Sequence, residues 1–322
     1  MKFSVPFNGD KNFLSKLVQS GLSENVAEIY FAGNPLIMGS GRRPKIKSFI
    51  VKNGSEYIFN HVEYDDEIKC LIQEANSIGI KSNLLMNFNG SLTGDMVSYV
   101  SNLLEFGLYS VTVGNWELLK QVKKVWPENL EIQNSVYMNV NSYSDIEELV
   151  NMGVSVFLLP PELNDEFSKI AIVHKIISQY ESIKLKIMVN EGCIKYCPHR
   201  KYDQLDSQNY KIESAIQDFI NDTENKRVLS QPCRAYMNTK GIGKTNFINP
   251  KDINKYQQFD PILKIVGRSY GTEKIFQTIR AYLSATYEGD LRDIIENFKH
   301  SQSIIHVDSE AKTDFLLSNE GA

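Results

Sequence analysis

The feature that most constrains this chain is a regular alternation of short apolar strand patterns with amphipathic helix patterns. Strands are predicted at 2–7, 28–32, 82–88, 109–113, 131–138, 154–159, 184–189 and 263–266. Helices are predicted at 12–19, 65–77, 95–105, 116–125, 143–152, 165–180, 213–220, 272–285 and 291–298. Repeated strand–helix units imply a parallel sheet, and eight of them fit an α/β fold of the (β/α)8 TIM-barrel type, which typically takes about 250 residues.

An open doubly wound sheet is the alternative arrangement of such units. In dinucleotide-binding versions of that fold, a glycine-rich phosphate-binding turn follows the first strand. No such turn follows the predicted strand at 2–7. We therefore expect one barrel domain over residues 1–298, followed by a polar tail at 299–322.

Two long stretches interrupt the alternation. The first, residues 33–65, follows the second predicted strand and contains Asn53-Gly54, a pair typical of a β-hairpin turn. The second follows the seventh predicted strand and includes an excursion over residues 190–240. Loops after the strands of a barrel line its active face, and long loops are usually functional or disordered. Both stretches are therefore expected to open onto the same mouth.

Composition limits the partners and the cellular location that we expect for this protein. The 322 residues carry a formal net charge of -4, so nucleic acid is not expected as a partner. The longest apolar runs have strand length, and the first residues lack the apolar core of a signal peptide, so no membrane association and a cytoplasmic location are expected. In that compartment four cysteines favour free thiols or metal ligands over disulfides.

The cysteines are concentrated just beyond the strand predicted at 184–189. Cys193 and Cys197 are separated by three residues, Pro198 follows, and Cys233 lies downstream. This spacing does not match the C-x2-C pairs common in structural zinc sites, but it is compatible with iron–sulfur ligation. Three ordinary thiols are an equally acceptable interpretation, and zinc is the rival metal because thiolates suit both.

A fourth ligand is not evident from the spacing. Cys70 falls inside the helix predicted at 65–77, where a cysteine is most often a small buried hydrophobic residue. The fourth iron position would then be filled by water, by substrate or by a residue such as His199. A histidine beside a cysteine pair is more often a neighbouring residue than a ligand.

Several polar residues follow predicted strands and are candidates for substrate contacts. Asn190 and Glu191 end the seventh strand, where they would serve binding or acid–base chemistry or else cap the following loop. Arg268, after the eighth strand, would clamp a carboxylate or phosphate or else form a structural ion pair. Asn134 lies on the fifth strand, where some side chains face inward.

Four stretches together resemble one family. They are Glu28–Gly33, Asn190–Arg200 with its Cys-x3-Cys-Pro-x-Arg pattern, Phe247–Ile253 and Lys264–Arg268. Their order and spacing over about residues 1–298 resemble the collagenase-like peptidases, family U-thirty-two. The cysteine stretch and the Pro-Lys-Asp to Gly-Arg stretch are the more specific of these motifs.

The resemblance implies a TIM-like barrel that binds a 4Fe-4S cluster through cysteines. Cys193, Cys197 and Cys233 match the motif and would carry over as cluster ligands, with His199 or Cys70 as alternatives for a fourth. Some members of the family are peptidases, and others act in oxygen-independent hydroxylation of ubiquinone precursors, tRNA or ribosomal RNA. This chain departs from the pattern in lacking an evident fourth cysteine and the extra domains of the larger RNA-acting members.

These observations lead to an expected function. We expect a 4Fe-4S enzyme that carries out oxygen-independent hydroxylation, or a related redox modification, of a small molecule or peptide. Glu191 and Arg268 are the expected catalytic residues, and Asn190, Arg200 and Asn134 the expected substrate-binding residues. The alternatives are a cysteine- or metal-dependent peptidase, although no His-Glu-x-x-His motif is present, and a non-catalytic cluster-binding subunit that pairs with a homologous partner.

Overall fold

Eight strands of the chain pair in parallel and close into a barrel. The computed structural model describes residues 1–38, 49–52, 56–59, 61–88, 90–126, 130–140, 142–180, 183–197, 241–267 and 270–295. The strands are β1 Lys2–Pro6, β2 Val26–Ala32, β3 Phe49–Lys52, β4 Glu56–Phe59, β5 Lys81–Met86, β6 Ser110–Val113, β7 Glu131–Asn134, β8 Val154–Leu158, β9 Lys184–Met188 and β10 Ile262–Lys264. Around the barrel the order is β1-β2-β5-β6-β7-β8-β9-β10, and β10 pairs with β1 to close it. The predicted (β/α)8 class is confirmed.

Helices connect most successive barrel strands. They are α1 Phe13–Gln19, α2 Pro35–Met38, α3 His61–Ser77, α4 Gly94–Glu105, α5 Trp116–Val125, α6 Tyr143–Asn151, α7 Phe167–Ile177 and α8 Thr272–Leu283. Local capping explains several starts: Thr93 caps α4, Asn115 caps α5, and Ser142 forms a capping box with Asp145 at α6. None of the helices in the described part of the chain is long and apolar enough to cross a membrane.

The insertion after β2 contains the predicted hairpin. Strands β3 and β4 pair antiparallel and form a separate two-stranded sheet, with the Asn53-Gly54 turn outside the described residues. Helix α3 begins at His61, earlier than the predicted start at residue 65. Asp65 therefore lies inside α3, where both of its carboxylate oxygens accept hydrogen bonds from the Asn34 amide at 3.0 Å.

Other boundaries also differ from prediction. The strand predicted at 131–138 ends at Asn134, because the Ser135 hydroxyl accepts a hydrogen bond from Tyr137 N and starts a 3-10 turn at Val136–Met138. A 3-10 turn at Leu291–Asp293 stands where a helix was predicted at 291–298. The helix predicted at 213–220 and the tail predicted at 299–322 lie outside the described residues.

The barrel interior holds a buried polar network. Lys186 on β9 donates to Glu28 Oε1 on β2 at 2.8 Å and to Gln133 Oε1 on β7 at 2.5 Å. Gln133 Nε2 in turn donates to Glu28 Oε2 at 2.6 Å, and the Ser4 hydroxyl donates to Glu28 Oε1 at 2.7 Å. All four side chains are buried. The network therefore joins strands from different sides of the barrel through its centre.

The charge state of Glu28 follows from this network. Burial raises the pKa of its carboxyl, but the Lys186 ammonium and the hydrogen bonds from Lys186, Ser4 and Gln133 together outweigh burial. The net result is a pKa below the ordinary value, so Glu28 is ionised at neutral pH and forms a buried ion pair with Lys186.

Removing one partner of this pair is expected to be strongly destabilising. Lys186→Met leaves an uncompensated buried carboxylate, for which a loss of about 3–5 kcal/mol is expected. The double variant Lys186→Met/Glu28→Gln removes both charges and should recover much of that loss. Urea-induced unfolding followed by circular dichroism measures both. Equal destabilisation of the single and double variants would contradict a role for the ion pair.

Side-chain contacts reinforce the closure between the first and last units of the barrel. Asn8 Nδ2, after β1, donates to Tyr270 O at 2.9 Å and to Thr272 Oγ1 at 3.2 Å. The Thr272 hydroxyl donates to Asp10 Oδ2 at 2.6 Å, and Lys16 Nζ lies 2.7 Å from the same oxygen. Burial raises the pKa of Asp10, but hydrogen bonds from Lys16, Thr272 and the backbone of Asn12, with the Lys16 charge, outweigh it and lower the pKa to about 2.

The lowered pKa of Asp10 predicts a pH-dependent contribution to stability. The folded pKa lies below the unfolded one, so the stabilisation is present above about pH 4 and is lost as the pH falls towards 2. Because Lys16 is about half exposed, solvent screening limits the effect of Asp10→Asn at pH 7 to roughly 1 kcal/mol. Urea unfolding across this pH range should show the wild-type and variant stabilities converging in acid. A difference that stays constant would contradict this assignment.

Candidate cysteine site at the barrel mouth

Cys193 and Cys197 lie in the segment that leaves the carboxyl end of β9. We call residues 190–197 the cysteine loop. Both thiol residues are partly buried. Residues 241–248, the return segment, pair antiparallel with this loop through a bridge between Ile194 and Thr245. The two segments are joined by hydrogen bonds from Asn246 N to Cys193 O at 2.9 Å and from Lys195 N to Lys244 O at 3.0 Å. The loop is thus backed by a second strand-like segment.

Glu191 fixes the backbone at the first cysteine. Its carboxylate accepts a hydrogen bond from Cys193 N at 3.1 Å, and the residue is only 3% exposed. The carboxylate is therefore positioned directly beside the cysteine backbone. This contact matches the loop-capping alternative for Glu191, while its predicted catalytic role stays a prediction.

The side-chain amides of Asn190 and Asn134 also form hydrogen bonds with backbone groups. Asn190 donates to Val266 O at 2.9 Å and accepts from Val266 N at 2.7 Å, and it also donates to Ile294 O at 3.1 Å. Asn134 donates to Leu158 O at 3.1 Å and accepts from Leu158 N at 2.6 Å. Each amide thus pairs with both backbone groups of one residue and extends the sheet hydrogen bonding beyond the strand ends. Their predicted substrate-binding roles stay predictions.

Cys70 lies elsewhere and is exposed. It belongs to α3, as predicted, but its expected burial is wrong. The buried stripe of α3 is formed by Tyr64, Ile68, Leu71, Ile72 and Ala75. Cys70 falls beside that stripe and borders a groove between α1 and α3, which lies outside the barrel wall.

Four of the predicted site residues lie outside the described residues. They are His199, Arg200, Cys233 and Arg268. Within the described ranges, no group of three or more His, Cys, Asp or Glu side chains is arranged to hold a metal ion. Two of the three predicted cluster ligands, Cys193 and Cys197, do share one loop. Two partly buried thiols fit iron–sulfur or zinc ligation and do not suit magnesium or calcium, which prefer oxygen ligands.

The loop is also tied to the segment that follows β8, which the sequence did not reveal. Lys195 pairs with Asp165, and the Tyr196 hydroxyl donates to Glu166 Oε1 at 3.4 Å. Tyr196 adopts a φ of 55°, a left-handed conformation that is uncommon for a residue other than glycine. Strained backbone of this kind is found most often at functional sites.

A second cluster lies between the loop and the same neighbouring segment. Asn164 Nδ2 donates to Met188 O at 2.8 Å and to Asn246 O at 2.6 Å, and the Tyr256 hydroxyl donates to Asn164 O. Burial, then the nearby Asp165 and Asp252 charges, raise the pKa of Tyr256 well above its ordinary value, so it remains a neutral donor. Nothing in the sequence pattern marks Asn164 or Asn246, since each is an isolated asparagine in an irregular stretch.

Fold and site together define a (β/α)8 barrel protein with a cysteine loop at its carboxyl-terminal mouth. The chain is 25% identical to "Uncharacterized protease MJ1657" of Methanocaldococcus jannaschii over 329 aligned residues, which cover 96% of this chain and 90% of that protein. This similarity to a named protease along nearly the whole chain agrees with the resemblance to the collagenase-like peptidases, family U-thirty-two. No protein-family model matches the sequence.

The chain also has weak similarity to solved structures. "The Structure of the U32 Peptidase Mk0906" is 14% identical, with a TM-score of 0.49, and the match covers 83% of this chain and 93% of that one. The YdjI aldolase from Escherichia coli K12 is 10% identical, with a TM-score of 0.35, and the match covers 76% and 89%. Because both scores are low, the fold assignment rests on the closed parallel barrel of this chain.

The contacts of Asn190 yield a test of its role. Asn190→Leu keeps the side-chain size but leaves Val266 N, Val266 O and Ile294 O without their partner. Because buried polar groups left unpaired are destabilising, a loss of roughly 2–4 kcal/mol is expected in urea unfolding. A variant with unchanged stability would contradict the bracing role and favour the substrate-binding one.

Proposed function

We propose that this chain is an iron–sulfur enzyme in which Cys193, Cys197 and Cys233 hold a 4Fe-4S cluster at the barrel mouth. The observation that carries the proposal is the placement of two partly buried thiols in one braced loop at the carboxyl end of a barrel strand. That end of a parallel barrel is where catalytic groups are found in TIM-barrel enzymes. The family resemblance supports the same ligand set.

The proposed chemistry is an oxygen-independent hydroxylation or related redox modification of a peptide or small molecule. When bound, the cluster would supply electron transfer or oxygen-atom handling. The protein's own residues would hold the loop and orient the substrate. Glu191 keeps the Cys193 backbone in place through its hydrogen bond to the amide. Arg200 and Arg268 are the proposed cationic contacts for a substrate carboxylate or phosphate.

A peptidase is the second candidate, and the name of the archaeal relative favours it. A cysteine nucleophile needs a nearby base, and His199 is the nearest histidine in sequence to Cys197. This alternative leaves the concentration of three cysteines in the 190–240 excursion unexplained. A non-catalytic cluster-binding subunit paired with a homologous chain is a third proposal.

Metal analysis of cysteine variants tests the leading proposal. Anaerobically purified wild-type protein should be brown, absorb broadly near ~400 nm and contain about four irons and four sulfides per chain. Cys193→Ala, Cys197→Ala and Cys233→Ala should each lose most of the iron and sulfide. Cys70→Ala is the matched control and should retain them, because Cys70 lies on α3 outside the barrel wall.

Two results would contradict the cluster proposal. One is a colourless wild-type protein with stoichiometric zinc or no metal. The other is full iron and sulfide content in all three variants of the loop and excursion. In either case, turnover of a peptide library by metal-free protein, and its loss in Cys193→Ala or Cys197→Ala, would favour the peptidase. Absence of turnover together with co-purification of a homologous chain would favour the subunit.

A further inference from the structure

Three side-chain amide atoms beside the cysteine loop are buried and have no hydrogen-bond partner in the described part of the chain. They are Asn246 Nδ2, Asn246 Oδ1 and Asn164 Oδ1. Asn246 is fully buried and Asn164 is 2% exposed. Native proteins satisfy most buried polar groups, so an amide with both ends unpaired calls for a physical explanation. A bound water or ion, a functional role and stored strain are the usual ones.

The pairing of the two segments places Asn246 next to Cys193. Ile194 lies opposite Thr245 in an antiparallel bridge, so the preceding residue Cys193 lies opposite the following residue Asn246. The hydrogen bond from Asn246 N to Cys193 O at 2.9 Å agrees with that register. In regular antiparallel pairs, side chains directly opposite each other project from the same face. The register of this isolated bridge therefore points to one face for the Asn246 and Cys193 side chains.

The backbone of Asn246 is held firmly although its side chain is unpaired. Its N–H donates to Cys193 O, and its carbonyl accepts from Asn164 Nδ2 at 2.6 Å. The backbone at Asn246 is therefore fixed relative to Cys193 and Asn164. Asn134 and Asn190 provide the contrast, because both ends of their buried amides are paired with backbone groups.

We propose that the Asn246 amide donates a hydrogen bond to the sulfur-bound group held at Cys193. This inference rests on the proposed iron–sulfur function and identifies a cluster-contacting residue outside the cysteines. The acceptor would be a cluster sulfide, which carries negative charge. A donor at that position stabilises the reduced, more negative cluster and so raises its reduction potential. Asn164 would act as a positioning residue through the Asn246 carbonyl.

The proposal predicts opposite effects of one substitution in metal-free and cluster-loaded protein. Asn246→Leu removes both unpaired atoms while keeping a similar shape. In metal-free protein the melting temperature should therefore stay the same or rise by about 2 °C. Asn134→Leu is the matched control, because it removes an amide whose two ends are paired, and it should lower the melting temperature. Asn246→Ala serves as a second variant if the larger side chain impairs folding.

The second measurement is made on protein that has been reconstituted with the cluster. Wild-type and Asn246→Leu proteins are reconstituted anaerobically with ferrous iron and sulfide. The variant should have a lower midpoint potential in a titration followed by electron paramagnetic resonance. Its ~400 nm absorption should also disappear about tenfold faster in the presence of a chelator, as expected for loss of a hydrogen bond to a charged acceptor.

Three results would contradict either the inference about Asn246 or the proposed function. Destabilisation of the metal-free protein by Asn246→Leu to the extent seen with Asn134→Leu would mean that the amide is structural, and it would overturn the inference. An unchanged potential and an unchanged rate of cluster loss would overturn it as well. A wild-type protein that takes up no iron and sulfide would instead overturn the proposed function, and the inference with it.

Discussion

The buried ion pair between Lys186 and Glu28 is the interaction on which the barrel most depends. It joins β9 to β2 through the centre, and Gln133 on β7 hydrogen-bonds to both ions. Isolated charges in a protein interior are strongly unfavourable, so the pairing restricts the strands to arrangements that keep these three side chains together. The network thereby fixes the position of the carboxyl end of β9 relative to the neighbouring strands. The cysteine loop begins at that end, so its position depends on the network as well.

Beyond the strand ends, asparagine side chains form hydrogen bonds with backbone groups, as neighbouring strands do within the sheet. Asn190 pairs with both backbone groups of Val266, and it directly precedes Glu191, which binds the Cys193 amide. The first cysteine is therefore only three residues from a paired amide. Such bracing would suit the proposed ligand site, because less ordering remains when a ligand binds to thiols already held in place.

Sequence patterns predicted the barrel because its strands and helices are encoded locally. Helix α5 has the predicted bounds, since Asn115 is a strong cap and the apolar spacing is regular. The internal network was not predicted, because alternation assigns residues to a face but does not pair Glu28 with Lys186, 158 residues away. Cys70 was assigned to burial by residue type, although the apolar stripe of α3 passes beside it. The pairing of Cys193 with Asn246 likewise depends on a long-range register.

The unpaired amides imply a link between ligand binding and the stability of the mouth. A ligand that binds the folded chain alone stabilises it in proportion to the logarithm of its concentration relative to its dissociation constant. If Asn246 Nδ2 finds its partner only in the loaded state, as proposed, its burial would weaken the unloaded loop and the return segment together, since Asn246 N and Cys193 O join them. Selection for stability alone would replace Asn246 by an apolar residue of similar size. Under its proposed role, Asn246 would trade stability of the unloaded chain for binding of the cluster, a trade-off that is common at functional sites.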